Sequence, residues 1–212
     1  MTRKPAPSAA ERFDAAYYRR FYGEARTHTA EEIARLAQGI DGLSSWLFQR
    51  PLKSVLEIGS GPGFVRDWFA RERPRTRFVS TDVSAHACTI YRHRRLDVGA
   101  TRLRGTFDLI ICQGVLQYLD DAACSRALEN IAAMSSGLLY LEVLTARDLR
   151  TVCDQNGTDA DVHLRTGRFY RTRLSSHFTQ VGAGFWVRKD GPIALYELEG
   201  PADPSTRRPR SS

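Results

Sequence analysis

The sequence has little that would point to a membrane, to export or to a disulfide framework. It contains four cysteines, none of them in a CxxC pair, and no apolar run approaches the length that spans a bilayer. Its first ten residues, MTRKPAPSAA, are basic, but the apolar segment of a signal peptide does not follow them. We therefore expect a soluble protein of the reducing cytoplasm, without structural disulfides or a zinc site.

The length and the net charge of the chain limit the architectures and the partners that are possible for it. With 212 residues, of which 42% are hydrophobic, the chain can build one sizeable core and is short for two. The formal net charge of +7 would suit a nucleic acid, but no aromatic-rich RNA-binding signature accompanies it. Arginines on helical faces and in the C-terminal STRRPRSS favour solvated surfaces and a disordered tail. We expect no nucleic-acid partner.

The stretch VLEIGSGPG, residues 55–63, is the centre of the sequence interpretation. Its apolar residues predict a short buried strand, and its glycines turn the chain sharply into a helix that begins near Phe64. These glycines are Gly59, Gly61 and Gly63. Glycine suits a backbone that takes positive φ or approaches a ligand closely, and the N-terminus of the following helix presents unpaired N–H groups. A nucleotide-like ligand is the first hypothesis.

The spacing of the glycines argues against a dinucleotide. The dinucleotide fingerprint needs a third glycine three residues after the second, and Phe64 occupies that position. The pattern is instead GxGxG with Glu57 just ahead of it, which resembles the first motif of class I S-adenosylmethionine-dependent methyltransferases. The resemblance implies a zwitterionic methionine moiety held by an acid and bare backbone.

A second acid stands where a nucleoside-binding unit needs one. The strand that begins at Phe78 ends in Asp82, 19 residues after Gly63. A carboxylate at the tip of the second strand accepts hydrogen bonds from both ribose hydroxyls in such units. We therefore predict that Asp82 binds the ribose of the cofactor.

The segment FDLIICQGVLQYL, residues 107–119, predicts an apolar strand followed by a turn and helix. It resembles the fourth-strand motif of the same family, whose post-strand residues line the cleft beside the sulfonium. Similar methyltransferases also place an acid near Asp97, close to the adenine amino group. The predicted cofactor-binding residues are Glu57, Gly59, Gly61, Gly63, Asp82, Val83, Asp97, Val98, Gln113, Gly114 and Tyr18.

Strand and helix patterns alternate from residue 55 onward, which predicts a parallel sheet with helices on both faces. The fold class expected is α/β, a Rossmann-like, doubly wound, mostly parallel seven-stranded sheet with an antiparallel last strand. LLYLEV, residues 138–143, is the predicted fifth strand, after a helix closed by Gly137. VGAGFWV (181–187) and IALYEL (193–198) are the predicted final pair, after a helix over 168–178. A polar loop is expected over 145–164.

Three regions are expected along the chain: an N-terminal helical cap or lid over 1–52, a methyltransferase core over 53–200 and a disordered basic tail over 201–212. In the cap, a helix is predicted over 9–22 and ended by Gly23, with one aromatic row in the core and a second able to cover a ligand. The core row is Phe13, Tyr17 and Phe21, and the second row is Tyr18 and Tyr22. Thr29 and Glu32 form a capping-box signature for the next helix.

The general base is harder to identify than the cofactor site. Many relatives carry His at the position matching Gln117, and a Gln side chain cannot act as a base. His163 and His177 are weak candidates because an imidazole titrates near neutral pH. The candidate acceptor-binding residues are Tyr22, Gln117, Glu142, Arg165 and Tyr170.

The methyl acceptor is expected to be a small molecule, bound by a monomer or homodimer and methylated without a metal by in-line displacement. A metal site is disfavoured because Gln113 stands where a carboxylate ligand would be needed. The segment ICQG lacks the paired prolines of nucleic-acid amino methyltransferases, and Cys112 lacks the preceding proline of cytosine C5 enzymes. Two alternatives stay open: an S-adenosylmethionine-binding enzyme with other chemistry, and an RNA or protein methyltransferase.

Overall fold

The computed structural model describes residues 12–24, 29–154 and 157–200. Within these ranges, one sheet contains the strands β1 (Ser54–Ile58), β2 (Arg77–Asp82), β3 (Arg94–Arg95), β4 (Phe107–Gln113), β5 (Ser135–Glu142), β6 (Phe178–Gly182) and β7 (Phe185–Arg188). Their order is β3-β2-β1-β4-β5-β7-β6, and β7 runs antiparallel to both of its neighbours while the other pairs are parallel. The predicted Rossmann-like, mostly parallel fold is confirmed.

Helices connect the strands and cover both faces of the sheet. They are α1 (Ala15–Tyr18), which continues as a π-helical turn (Arg19–Glu24), α2 (Ala30–Phe48), α3 (Phe64–Glu72), α4 (Ala85–Ile90), α5 (Asp121–Met134), α6 (Ala146–Thr151) and α7 (Gly167–Leu174). A 3-10 turn (Leu116–Tyr118) follows β4. None of the helices in the described part of the chain is both long and apolar enough to cross a bilayer.

The central strands are buried on both faces because helices cover both sides of the sheet. Successive side chains along a strand point to opposite faces, so they pack in two different core clusters. Val55 and Leu109 pack in the core cluster that contains residues of α2 and α3. Leu56 and Ile110, one position along, pack in the cluster that contains residues of α5 and α7. All four side chains are fully buried. This two-sided burial explains why the strands appear in the sequence as continuous apolar runs.

The predicted capping box at the start of α2 is confirmed, and the start of α5 is also capped by a side chain. Thr29 Oγ1 accepts from the N–H of Glu32 at 3.2 Å, and Glu32 Oε2 accepts from the N–H of Thr29 at 2.8 Å, which completes the capping box of α2. At the start of α5, Asp120 Oδ1 accepts from the N–H of Ala123 at 2.7 Å. Both caps satisfy amide groups that the first helical turn leaves unpaired.

The predicted residue bounds of the final strand pair were wrong. The segment VGAGFWV contains the hairpin turn itself: Gly182, Ala183 and Gly184 have φ of 98°, 46° and 82°. The strands on either side are β6 and β7, so residues 193–198 do not form the last strand. The predicted helix over 168–178 correspondingly ends at Leu174, because Phe178 already pairs with β7.

Three other predicted boundaries also differ. Asp14 caps α1 by accepting from the N–H groups of Ala16 and Tyr17, so the predicted single helix over 9–22 is divided, and Gly23 lies inside the π-helical turn. Gly137 does not close α5, because pairing with β4 begins the next strand at Ser135. The predicted loop over 145–164 contains α6. The predicted tail lies outside the described residues.

A partly buried ion pair between Arg50 and Asp108 fixes the chain segment that enters β1. Asp108 at the start of β4 accepts hydrogen bonds from Arg50 Nη1 at 2.8 Å, Arg50 Nη2 at 3.1 Å and the N–H of Lys53 at 2.7 Å. Burial by itself would raise the pKa of Asp108, but the Arg50 pair and the backbone hydrogen bonds outweigh it and lower the pKa. The interaction therefore stabilises the fold when the carboxylate is charged.

We expect Asp108→Asn to lower the free energy of unfolding by about 1–3 kcal/mol at pH 7, because charged hydrogen bonds to a buried group are lost. A lowered folded-state pKa gives stability above the unfolded pKa of about 3.9, and this stability is lost as pH falls through the folded value. Denaturant unfolding at pH 7 and pH 3 checks the prediction, with Asp67→Asn, at an exposed position of α3, as the control. An equal loss at both pH values would contradict it.

Candidate functional site

A cavity of about 750 Å³ opens at the edge of the sheet where the parallel strands end. The carboxyl ends of β1, β2, β4 and β5 supply its floor, and α1 with the segment after β5 supplies residues on the opposite side. Open α/β sheets bind ligands at this edge, where the order of the strands reverses. The reversal lies between β1 and β4, directly at the glycine loop.

The glycine loop is held against the tip of β2 and the turn after β4. The N–H groups of Gly59 and Ser60 both donate to the carbonyl of Thr81 at 2.9 Å. Gly59 has φ of 76°, and a Cβ atom built on it would lie 2.3 Å from Val115 Cγ2. Only a residue without a side chain fits between these two segments. The first predicted glycine is therefore required by both its conformation and its packing.

Asp82 joins the tip of β2 to the glycine loop. Its side chain is 6% exposed and accepts from the N–H of Gly61 at 3.0 Å, the N–H of Ser84 at 2.8 Å and the hydroxyl of Tyr18 at 3.5 Å. Burial raises the pKa of Asp82, while the hydrogen bonds from Ser84 and Gly61 oppose that rise. The carboxylate and the bare backbone predicted to share one ligand do line one cavity.

Glu57 lies buried in the cavity wall with an unsatisfied polar atom. Its Oε2 has no hydrogen-bond partner among the described residues, and the same is true of Ser60 Oγ beside it. Burial raises the pKa of Glu57 to about 8. Buried polar atoms are normally paired, so these two indicate a site completed by a ligand. A primary ammonium group fits an orphaned carboxylate, as a methionine moiety would provide.

His93 contacts the glycine loop, a position that no sequence pattern indicated. Its Nε2 lies 2.9 Å from the carbonyl of Gly61, and its Nδ1 lies 3.0 Å from Ser80 Oγ. A neutral ring with its proton on Nε2 donates to Gly61 and accepts from Ser80. Burial lowers the pKa of His93, which favours this neutral form. The residue lies in YRHRRL, where no periodic pattern marks it.

Seven aromatic residues line the cavity. Phe64 follows the glycine loop, and the others are Phe13, Tyr17, Tyr18, Phe21, Tyr22 and Tyr118. Both aromatic rows of the N-terminal segment therefore contribute, including the row predicted to lie in the core. The hydroxyls of Tyr17 and Tyr118 are 3.0 Å apart, and Arg12 forms an ion pair with Asp159 at 3.0 Å. These contacts connect the N-terminal segment to the turn after β4 and to the loop after α6.

The remaining predicted cofactor residues differ in their placement. Those on the cavity wall are Val83, Asp97, Val98, Gln113 and Gly114. Asp97 Oδ1 also accepts from the N–H of Gly99 at 2.9 Å, which shapes the turn after β3. Gly63 does not line the cavity. It is the N-cap of α3, with φ of 86° and the guanidinium of Arg66 beside it.

Three of the five predicted acceptor-binding residues, Tyr22, Gln117 and Glu142, line the cavity, whereas Arg165 and Tyr170 do not. Arg165 is buried and donates to the carbonyl of Leu116 at 3.2 Å, to the carbonyl of Leu119 and to the carboxylate of Asp121 at 2.7 Å. The Tyr170 hydroxyl lies 3.5 Å from the same guanidinium.

The guanidinium of Arg165 thus fixes the 3-10 turn that carries Gln117, and it is not positioned to meet a ligand in the cavity. Sequence patterns give no sign of this role because the partners in and beside the turn, Leu116, Leu119 and Asp121, are more than 40 residues away in the chain. The other two partners, His163 and Tyr170, are close in the chain but lie outside the turn.

Neither histidine predicted as a base lines the cavity. His177 Nε2 lies 3.0 Å from Glu129 Oε2 on α5, which places the ring on the outside of the fold. The side chain of His163 is exposed, and its backbone N–H donates to the carbonyl of Gln117 at 2.8 Å. Among residues 12–24, 29–154 and 157–200, no three His, Cys, Asp or Glu side chains form a group that could hold a metal ion.

Comparison with known proteins identifies relatives of this chain. A family model described as a methyltransferase domain matches residues 25–182. A malonyl-[acyl-carrier protein] O-methyltransferase of Magnetococcus marinus is 30% identical over 147 residues, which cover 62% of this chain and 51% of that protein. The chain therefore spans about half the length of this curated relative.

Solved structures of methyltransferases share the fold. The plantazolicin methyltransferase BpumL in complex with S-adenosylhomocysteine has a TM-score of 0.59 at 14% identity, covering 80% of this chain and 70% of its own. Magnesium protoporphyrin IX methyltransferase from Synechocystis PCC 6803 with bound S-adenosylmethionine has a TM-score of 0.55 at 16% identity, covering 88% and 100%. DesVI from Streptomyces venezuelae has a TM-score of 0.58 at 13% identity, covering 82% and 98%.

Proposed function

Because this chain belongs to the class I S-adenosylmethionine-dependent methyltransferases, we propose that it transfers a methyl group to a small-molecule acceptor bound in the cavity. The observation that supports this best is the convergence of the glycine loop, Glu57 and Asp82 on one cavity. Relatives and neighbours named for small acceptors, such as a porphyrin, agree with a small-molecule substrate.

The chain's own residues divide the proposed donor site into two ends. We propose that Glu57 and Ser60, whose buried oxygens have no partner in the described structure, bind the methionine end. Asp82 would accept from the ribose hydroxyls, and the wall around Asp97 and Val98 would contact the adenine. When bound, S-adenosylmethionine supplies a methyl group activated by a positively charged sulfur.

The cavity is large enough for a donor and a small acceptor together, since ligand sites of about 300–1,000 Å³ bury most of a drug-sized molecule. The side chains at its acceptor end, Gln117 and Glu142, follow β4 and end β5. Their role would be to hold the acceptor in line with the methyl group, because positioning can supply most of the rate of such a displacement. We propose that no metal takes part.

We further propose that the lid is confined to the segment that ends at residue 24. Of the predicted cap, this segment carries five of the aromatic side chains over the cavity. By contrast, α2 contributes Ile33 to the cavity wall, while its Ala37 and Ile40 are buried in the sheet core with β1 and β4. A lid of aromatic rings would exclude water from the reacting groups.

The proposed function is tested by binding and turnover on the purified chain. Calorimetry should detect binding of S-adenosylmethionine and S-adenosylhomocysteine, and incubation with a cell metabolite extract should release S-adenosylhomocysteine. Binding without release from any extract would favour an enzyme with other chemistry. No binding of either compound to the folded protein would contradict the proposed donor site.

Binding of S-adenosylmethionine is expected to become tighter as pH rises from 6 to about 8. The pKa of Glu57 in the free protein is about 8, and an ammonium group beside it favours the charged carboxylate, so binding releases a proton below that pH. The association constant should rise by up to about tenfold per pH unit. Calorimetry between pH 6 and 7.5, in two buffers of different ionisation enthalpy, measures both the slope and the proton.

Glu57→Gln is the matched control for this pH dependence, and its affinity should be weaker and flat over the same range. A raised folded-state pKa means that the carboxyl contributes stability below its unfolded pKa of about 4.3 and loses it as pH rises through 8. The unliganded variant should therefore be at least as stable as the wild type at pH 8.5. An unchanged pH slope in the variant would show that another group releases the proton.

A further inference from the structure

The lining of the cavity has the opposite charge to the protein as a whole. The chain has a formal net charge of +7, yet the described residues that line the cavity include seven carboxylates and no Lys, Arg or His. The carboxylates belong to Glu57, Asp82, Asp97, Glu142, Asp148, Asp154 and Asp159. A concave site lined by one sign of charge concentrates ions of the other sign.

Four of these carboxylates lie at the end of the cavity away from the glycine loop, namely those of Glu142, Asp148, Asp154 and Asp159. Asp148 accepts from the N–H and hydroxyl of Thr145, and Asp159 forms an ion pair with Arg12. Glu142 differs from Asp159 because it has no cationic partner among the described residues, and from Asp148 because it is not part of a helix capping box. Its Oε2 accepts from neutral groups, Gln113 Nε2 at 3.2 Å and the Tyr140 hydroxyl at 3.4 Å. Its negative charge is therefore available to a ligand.

A second, independent observation is the side chain of Gln117. It is 7% exposed and lines the cavity, and its Oε1 has no hydrogen-bond partner among the described residues. A buried carbonyl oxygen without a hydrogen-bond donor costs free energy, so a ligand that carries an N–H or O–H group is expected to donate to it. Together, Glu142 and Gln117 present hydrogen-bond acceptors where the acceptor molecule would bind.

We propose that the methyl acceptor is an amine that enters the cavity as a cation, so that the chain is an N-methyltransferase. This inference rests on the proposed methyl transfer and names its substrate class. An acceptor carrying a carboxylate or phosphate would be desolvated among like charges with no basic side chain from the described residues to meet it. An ammonium group would meet Glu142 and donate to Gln117 Oε1.

The charge of the cavity suits the binding of the cation and the methyl transfer itself, because both place a positive charge among carboxylates. The bound ammonium first gives one proton to solvent through the exposed end of the cavity at Glu142. The nitrogen lone pair then forms the new N–C bond, while the electron pair of the breaking C–S bond stays on sulfur. Positive charge thus moves from sulfur to nitrogen within the same carboxylate-lined space, and the proton of the product ammonium is exchanged with solvent. No separate base among the protein side chains is required.

A thiol in the cavity wall allows the charge preference to be measured without turnover. Cys153 lines the cavity and is partly exposed. We would compare its modification by a cationic trimethylammonium-ethyl and an anionic sulfonate-ethyl methanethiosulfonate, located by mass spectrometry, with S-adenosylhomocysteine saturating the donor end. N-acetylcysteine amide gives the intrinsic ratio of the two rates.

The cationic reagent is expected to react at Cys153 with a preference about tenfold or more above the intrinsic ratio. Glu142→Gln should reduce that preference several-fold, whereas Glu72→Gln, which removes an exposed carboxylate at the end of α3, should leave it unchanged. A preference at or below the intrinsic ratio would overturn the proposal, and it would do so even if the protein binds S-adenosylhomocysteine normally.

Turnover gives the second readout. A metabolite extract would be divided on cation and anion exchangers, and S-adenosylhomocysteine release is expected only with the fraction retained as cations. Release confined to the anionic fraction would overturn the amine assignment while leaving methyl transfer intact. Failure to bind S-adenosylhomocysteine at all would instead remove the proposed function, so the two failures are distinguishable.

Discussion

Asp82→Ala is expected to weaken binding of S-adenosylmethionine by about 30-fold or more, equivalent to about 2 kcal/mol. The proposed ribose contacts go to a charged acceptor, and such hydrogen bonds are among the stronger ones. The substitution also removes hydrogen bonds within the protein, because Asp82 accepts from the N–H groups of Gly61 and Ser84. Without the carboxylate, the glycine loop is no longer tied to the tip of β2. Calorimetric titration measures the affinity.

Two variants separate ligand contact from loop support in this prediction. Asp82→Asn retains one side-chain acceptor and should fall between the wild type and the alanine variant. Asp67→Ala removes an exposed carboxylate of α3 that pairs with Arg66 outside the cavity, and its affinity should be unchanged. Near-wild-type affinity in a folded Asp82→Ala protein would mean that the ribose is held elsewhere.

Gly59→Ala is expected to lower the free energy of unfolding by about 2–4 kcal/mol and to abolish cofactor binding. Two costs add at this position. The backbone has φ of 76°, which disfavours a residue with a Cβ, and that atom would lie 2.3 Å from Val115 Cγ2. Relief would require the glycine loop and the turn after β4 to move apart, which would open the floor of the cavity. Chemical denaturation and calorimetry measure the two effects.

The chain offers separate controls for the backbone cost of positive φ and for the clash with Val115. Gly105 has φ of 84°, but a Cβ there would meet nothing within 4 Å, so Gly105→Ala reports the backbone cost alone. Val115→Ala in the Gly59→Ala background removes the clashing methyl group and should recover part of the stability. Equal losses for Gly59→Ala and Gly105→Ala would show that the close approach to Val115 has no energetic consequence.

The alternation of strands and helices and the centre of the cavity followed from patterns that are local in the chain. An apolar run that ends in closely spaced glycines predicts a strand and a turn, and Asp82 ends the next such run. Parallel strands bring their carboxyl ends to one edge, so two local features become neighbours in space. The capping box of α2 and the cavity position of Glu142 were predicted from local patterns in the same way, whereas Gln117 was identified from the resemblance to the family.

Positions that depend on distant partners could not be predicted in this way. Arg165 resembles a candidate ligand-binding arginine in the sequence, yet its guanidinium is buried by carbonyl groups of the 3-10 turn. His93 lies in a stretch without periodicity and reaches Gly61 only after β2 and β3 pair. In VGAGFWV, the apolar pattern concealed a hairpin turn whose glycines determine the strand register.

By itself, the sequence determined the α/β class, the glycine loop and the acid that follows it, because hydrophobic periodicity and turn chemistry act over a few residues. The sign of charge inside the cavity was decided only by the tertiary structure. Net charge is a sum over the whole chain, whereas the potential of a cavity depends on which side chains the fold turns inward. Here a chain of charge +7 surrounds its cavity with seven carboxylates, a property that only the folded arrangement creates.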